Sequence, residues 1–141
     1  MCIRDSNTAR FHFYYSDNNQ IISNDVREVD FSSSDWAGVD LVRSNGNLVK
    51  QNIITENYGP GVLLTDGSSN NQVIENQILS NVGGIKITAN LGNDYYAPSI
   101  YDPSMPSNNI IFGNTLTGNQ NQGIFESGYC CLLYTSDAAD E

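Results

Sequence analysis

The sequence predicts an all-β solenoid of stacked parallel sheets, and three observations carry that prediction. Asparagine recurs at one fixed internal spacing: Asn47, Asn52 and Asn57, then Asn71, Asn76 and Asn81, then Asn109, Asn114 and Asn119, with a partial copy at Asn19 and Asn24. The complete copies are offset by 24 residues and then by 38, one period plus a 14-residue insertion, and the partial copy precedes the first by 28. Fixed-period self-similarity of this kind marks a repeat architecture. Second, an aliphatic residue stands two positions after the first asparagine of each copy (Ile21, Val49, Val73, Ile111) and another seven positions after it (Val26, Ile54, Ile78, Leu116). Third, each copy ends in a glycine that opens an alternating run: Gly38-Val39-Asp40-Leu41, Gly61-Val62-Leu63-Leu64, Gly84-Ile85-Lys86-Ile87 and Gly123-Ile124-Phe125.

A period of two with β-branched residues on one side argues strand, and no long window carries a helical stripe. Each unit therefore reads as three short strands separated by Asn/Gly turns. Stacked units place every side chain about 4.8 Å above its equivalent. The asparagines suit such a stack, because an amide donates to one neighbour and accepts from the other, and asparagine tolerates left-handed turns. A leucine-rich repeat has a similar period, but its L-x-x-L-x-L-x-x-N signature is absent.

The units NLVKQNIITEN…GV, NQVIENQILSN…GI and NIIFGNTLTGN…GI resemble the right-handed parallel β-helix repeat of the pectate-lyase-like superfamily, closest to its NosD-like and alginate-epimerase-like groups. The resemblance runs from about Phe11 to Ser127. It implies a right-handed parallel β-helix of about four to five coils of about 24 residues, truncated at both ends. The motif residues are structural, so they speak for the fold and leave the activity open.

The ends read differently. MCIRDS can be encoded by ATGTGTATAAGAGACAG plus one base, and the reverse complement of that string encodes CLLYT in a permitted frame, which is Cys131 to Thr135. Two terminal peptides related as an inverted repeat resemble translated adapter sequence. Residues 1–6 and 131–141 are therefore set apart from a β-helix segment at 7–130.

Without Arg4, Asp5, Asp137, Asp140 and Glu141 the chain keeps 12 acidic and 5 basic residues, a net charge of −7. That surface repels nucleic acid and anionic membrane. No run approaches the roughly 18 apolar residues of a membrane helix. Of three cysteines only Cys130 lies in the central segment, so neither a disulfide framework nor a metal site follows from them. A polar chain rich in Asn, Ser and Gly suits an extracellular, cell-surface or periplasmic location.

Function must come from outward positions and interruptions. In the Gly-led strands the first and third residues after glycine face inward and the second faces out. The 28-residue offset sets Phe11 over Val39, His12 over Asp40 and Phe13 over Leu41. The outward column then reads His12, Asp40, Leu63, Lys86, Phe125, while Glu126 falls at an inward position and breaks the pattern. His12, Asp40 and Lys86 are the candidate catalytic residues, since a histidine or lysine beside a carboxylate can abstract a sugar-ring proton. The alternative is that these are ordinary residues of a solvated face, since one histidine and one lysine occur on many solvated sheets.

The 14-residue insertion within Ala89–Pro106 supplies candidate substrate-binding residues Asp94, Tyr95, Tyr96, Tyr101 and Asp102. Tyrosine offers a flat apolar ring with a polar tip, suited to stacking on sugars. The aspartates supply sugar-hydroxyl acceptors or oxygen ligands of the kind Ca²⁺ takes. Tyr101-Asp102-Pro103 is similar to a tyrosine-containing Asp-Pro-His motif of alginate epimerases, but Ser104 replaces the histidine. A second bulge before Gly38 carries Asp30, Asp35 and Trp36. Copper, associated with some NosD-like proteins, wants His, Cys or thioether ligands, and the central segment holds only His12 and Met105 of the first and last kinds. No cofactor is required by the sequence. Two readings stand: a polysaccharide-active lyase, epimerase or hydrolase with glycan along the outward face, and a non-catalytic structural or adhesin-type solenoid.

Overall fold

The structure is a computed structural model describing residues 2–3, 6–7, 10–27, 37–89, 105–121, 123–127 and 133–134. The described residues form strands and turns, with no helix among them. Strands are numbered in chain order. Sheet A contains β1 (Cys2–Ile3), β4 (Gln20–Ile22), β7 (Leu48–Lys50), β10 (Gln72–Ile74), β13 (Ile110–Phe112) and β16 (Leu133–Tyr134). Sheet B contains β2 (Ser6–Asn7), β5 (Asp25–Arg27), β8 (Ile53–Thr55), β11 (Gln77–Leu79) and β14 (Thr115–Thr117). Sheet C contains β3 (Phe11–Tyr14), β6 (Val39–Val42), β9 (Pro60–Thr65), β12 (Gly83–Thr88) and β15 (Ile124–Ser127).

Every strand pairs in parallel with its equivalents one coil away. The chain visits the three sheets in turn, which makes a right-handed parallel β-helix, the hand that parallel crossovers adopt. β1, β2 and β16 lie in or beside the terminal peptides; short segments add to an open sheet edge through backbone bonds alone.

Alternation fills the interior with aliphatic columns. Ile21, Val49, Val73 and Ile111 stack inside sheet A, and Val26, Ile54, Ile78 and Leu116 inside sheet B. Sheet C contributes Val39, Val62, Ile85 and Ile124, with Leu41, Leu64 and Ile87 alongside. Phe11 and Phe13 pack against this core beyond β6. Each fully buried aliphatic side chain stabilises by about 1.5–3 kcal/mol relative to exposure. Ile78 is fully buried, so Ile78→Val is expected to cost about 1 kcal/mol in chemical denaturation; an unchanged midpoint would place Ile78 outside the packed column.

The asparagine columns form hydrogen-bonded ladders in the expected register. Asn47 Nδ2 donates to Asn71 Oδ1 at 3.1 Å and Asn71 Nδ2 to Asn109 Oδ1 at 3.1 Å. The second column runs Asn24, Asn52, Asn76, Asn114, and the third Asn57, Asn81, Asn119. Wherever a ladder asparagine precedes it in the column, Oδ1 also accepts that residue's backbone N–H, as Asn76 does from Asn52 at 3.0 Å.

One expectation needs correcting. The ladder asparagines do not themselves take the left-handed conformation. It falls on the residue before each: Asn18, Ser23, Gly46, Gln51, Glu56, Asn70, Glu75, Ser80, Asn108, Gly113 and Gly118. The bend at that residue turns the next side chain inward, where the amide is buried and its hydrogen bonds offset the desolvation cost.

Candidate functional site

The register of sheet C sets His12 opposite Asp40, Asp40 opposite Leu63, Leu63 opposite Lys86 and Lys86 opposite Phe125. Glu126 lies at the backbone position opposite Ile87. His12, Asp40 and Lys86 therefore share one outward column, with Asp40 and Lys86 roughly 9–10 Å apart at two strand spacings. The expected open face is not found along its whole length. Asp40 is 4% exposed and Leu63 0%, so the middle of the column is shut off from solvent. His12 and Phe125 are exposed and Lys86 is half-buried.

Asp40 and His12 are joined at the open end. Asp40 Oδ2 lies 2.8 Å from His12 Nδ1, and Arg10 Nη1 stands 3.8 Å from the same oxygen. Asp40 Oδ1 is buried with no hydrogen-bond partner among the described residues. A carboxylate only accepts, so opposite an ionised Asp40 the proton sits on Nδ1, and in the neutral form of the ring the lone pair lies on Nε2. A buried acid behind an exposed imidazole fixes ring orientation and tautomer, the arrangement that prepares histidine as a base or ligand.

A second cluster was not anticipated. Tyr15, Arg43 and Asp66 follow the ends of β3, β6 and β9, each with positive φ (49°, 49° and 52°). Arg43 Nη1 donates to the Tyr15 hydroxyl at 2.5 Å, and Arg43 Nε lies 3.8 Å from Asp66 Oδ2. The Tyr15 bond raises the Arg43 pKa above its usual value, with desolvation acting the other way. Tyr14 packs edge-on against Tyr15 at 4.6 Å between centroids and lies nearly parallel to His12 at 6.4 Å. The signal that finds these residues is the coil register carried one position past each strand. It links unlike residues, so no repeated letter marks it.

Asp94, Tyr95, Tyr96, Tyr101 and Asp102, the insertion's candidate binding residues, lie outside the described residues, as do Asp30, Asp35 and Trp36. Asn47, Asn52, Asn57, Asn71, Asn76, Asn81 and Asn109 are buried in the ladders, and Asn114 and Asn119 are half-buried at their ends.

Three parallel sheets, ladder asparagines and Gly-led strands are the features of a β-helix family, and a family match agrees with them. The family model described as periplasmic copper-binding protein (NosD) matches residues 2–103, well over half of the chain. The chain belongs to the NosD family. No curated protein and no solved structure gives a significant match. The family's periplasmic description agrees with the exported location expected from composition. No helix among the described residues is long and apolar enough to cross a membrane.

The family's description names copper, and the donors of this NosD-family chain bear on whether it could hold that metal. Copper takes imidazole, thiolate and thioether ligands. His12 is the chain's single histidine, its Nδ1 is committed to Asp40, and no group of three or more His, Cys, Asp or Glu comes together among the described residues. These residues do not fit a copper centre.

Proposed function

We propose that this NosD-family β-helix binds polysaccharide on the outward face of sheet C and processes it by proton abstraction at His12. The observation that carries the reading is the 2.8 Å pair of an exposed imidazole and a buried carboxylate. Asp40 positions His12 and offsets the charge that develops on it. Nε2 takes a proton from a sugar carbon or hydroxyl, and Lys86 presents a cation farther along the column. Lyase, epimerase and hydrolase outcomes share this first requirement for a placed acid–base group.

The basic residues favour this face as well. Of the chain's six Lys and Arg, Arg10, Arg43 and Lys86 lie on or beside sheet C. They moderate the repulsion an acidic chain exerts on an anionic glycan. Nucleic acid and membrane insertion are not part of this reading. In the bound protein, Asp94 and Asp102 are the proposed contacts for sugar hydroxyls or for a Ca²⁺ bridge, and Tyr95, Tyr96 and Tyr101 the proposed stacking rings.

The test is turnover of uronate-containing and neutral polysaccharides by the full chain, followed by ultraviolet absorbance of unsaturated ends, reducing ends and sugar-proton spectra. His12→Ala is expected to lower kcat at least about a hundredfold with binding retained, the loss expected for a missing general base. Asp40→Asn is expected to lower kcat through the wrong tautomer. Binding without turnover in the unaltered protein would overturn the catalytic reading and leave a passive glycan-binding solenoid.

A further inference from the structure

Three residues after His12 stands an exposed aromatic residue, Tyr15. It keeps 57% of its surface in solvent, although its backbone takes a left-handed conformation that a bulky residue rarely adopts. Arg43 and Asp66 take the same conformation at the equivalent positions, so the bend belongs to the turn that follows these sheet C strands. The Tyr15 ring itself is held from several sides. The Tyr15 backbone N–H donates to Val42 O at 3.2 Å, its hydroxyl accepts from Arg43, and the Arg43 guanidinium carbon lies 5.4 Å from its ring centroid. Arg43 is in turn drawn to Asp66, and its side chain is only 8% exposed. Tyr14 closes against the ring at a 77° angle.

We propose that Tyr15 is a sugar-ring platform, forming a subsite next to His12 that stacks on the apolar C–H face of a pyranose in the bound glycan. This rests on the glycan reading given above and deepens it. With the hydroxyl engaged by Arg43, what Tyr15 offers a ligand is its ring surface. Such a surface recognises the hydrogen-bearing face of a sugar irrespective of charge. A ring already held from several sides loses little conformational freedom on binding, so more of the contact energy appears as affinity. Arg43 and Asp66 act here as positioning residues. The chain of contacts Asp66–Arg43–Tyr15–Tyr14–His12 ties the platform to the imidazole, so a sugar seated on Tyr15 sets the neighbouring unit at His12.

The experiment measures binding of the full chain to three soluble probes: a 1,4-linked polyuronate, a neutral 1,4-linked glucan and a 1,4-linked mannan. Affinity electrophoresis and the shift of Tyr15 ring protons on titration are the readouts. Tyr15→Ala and Tyr15→Leu are expected to weaken binding about tenfold for every probe the unaltered chain binds, and Tyr15→Phe to retain it. The leucine variant keeps side-chain bulk, so a folding defect in the alanine variant does not decide the result. Wild-type affinity in Tyr15→Leu, or Tyr15 ring protons that do not move on binding, would overturn the platform while leaving the glycan reading intact. If the unaltered chain binds none of the probes, the glycan reading falls and the platform falls with it.

Discussion

Asn76→Ala is expected to lower the unfolding free energy by about 3 kcal/mol, because one amide ties three coils together. Its Oδ1 accepts from Asn52 N at 3.0 Å and Asn52 Nδ2 at 2.9 Å. Its Nδ2 donates to Val49 O and to Asn114 Oδ1, both at 2.9 Å. Alanine leaves the buried groups of Asn52 and Val49 without this partner, and each unsatisfied buried group costs about 1–3 kcal/mol, with partial relaxation expected. Asn76→Asp keeps the acceptor but sets a carboxylate against two acceptors, so it is expected to be no better tolerated. Asn121 is exposed and outside the columns. Asn121→Ala is therefore expected to stay within about 0.5 kcal/mol. Equal losses at the two sites in chemical denaturation would mean that the ladder does not carry the stability assigned to it.

Gly84→Ala is expected to be at least as damaging, costing about 3 kcal/mol or more, while Gly83→Ala next to it stays near neutral. A Cβ on Gly84 would lie 1.9 Å from Gly123 O and 2.8 Å from Gly123 C, both backbone atoms of the next coil. Rungs one strand spacing apart cannot give way without breaking pairs, and forced overpacking costs about 1–3 kcal/mol or more. A Cβ on Gly83 meets nothing closer than Pro60 at 3.7 Å, an ordinary contact. Neither glycine has a positive φ, so the contrast isolates space from backbone freedom. Gly61 repeats the rule, its Cβ reaching 2.4 Å from Ile78 Cγ2. Close approach thus explains Gly38, Gly61 and Gly84, whereas a Cβ on Gly123 would meet nothing closer than Leu116 at 3.6 Å. Comparable melting of the two variants would refute that explanation.

The parts of the molecule that could be read from its sequence are those in which identical residues meet identical residues. The ladders depend on asparagine above asparagine, so repetition of one letter states both the contact and the register. His12 over Asp40 followed from the same offsets, because parallel pairing transmits register from core positions to outward ones. What escaped has physical reasons too. Tyr15, Arg43 and Asp66 are three different residues whose contacts are complementary. The burial of Asp40 and Leu63 depends on what lies over a strand, which a rung-by-rung reading leaves out. The left-handed bends were assigned to the asparagines themselves, whereas φ turns positive one residue earlier so that the amide can be swung inside.

The Asn71–Asn109 contact has a consequence for how such a protein changes over time. It spans 38 residues and measures 3.1 Å, as does the Asn47–Asn71 contact spanning 24. Both length irregularities of the repeat flank sheet C, one entering at Gly38 and one leaving after Thr88. The ladders and the paired strands of sheet C hold the rungs level, so alignment does not depend on the length of what joins them. The two corners that bound sheet C therefore behave as grafting points. Segments of unrelated length and composition can be exchanged there, and ligand preference can drift with them, while His12, Asp40 and the columns behind them keep their places.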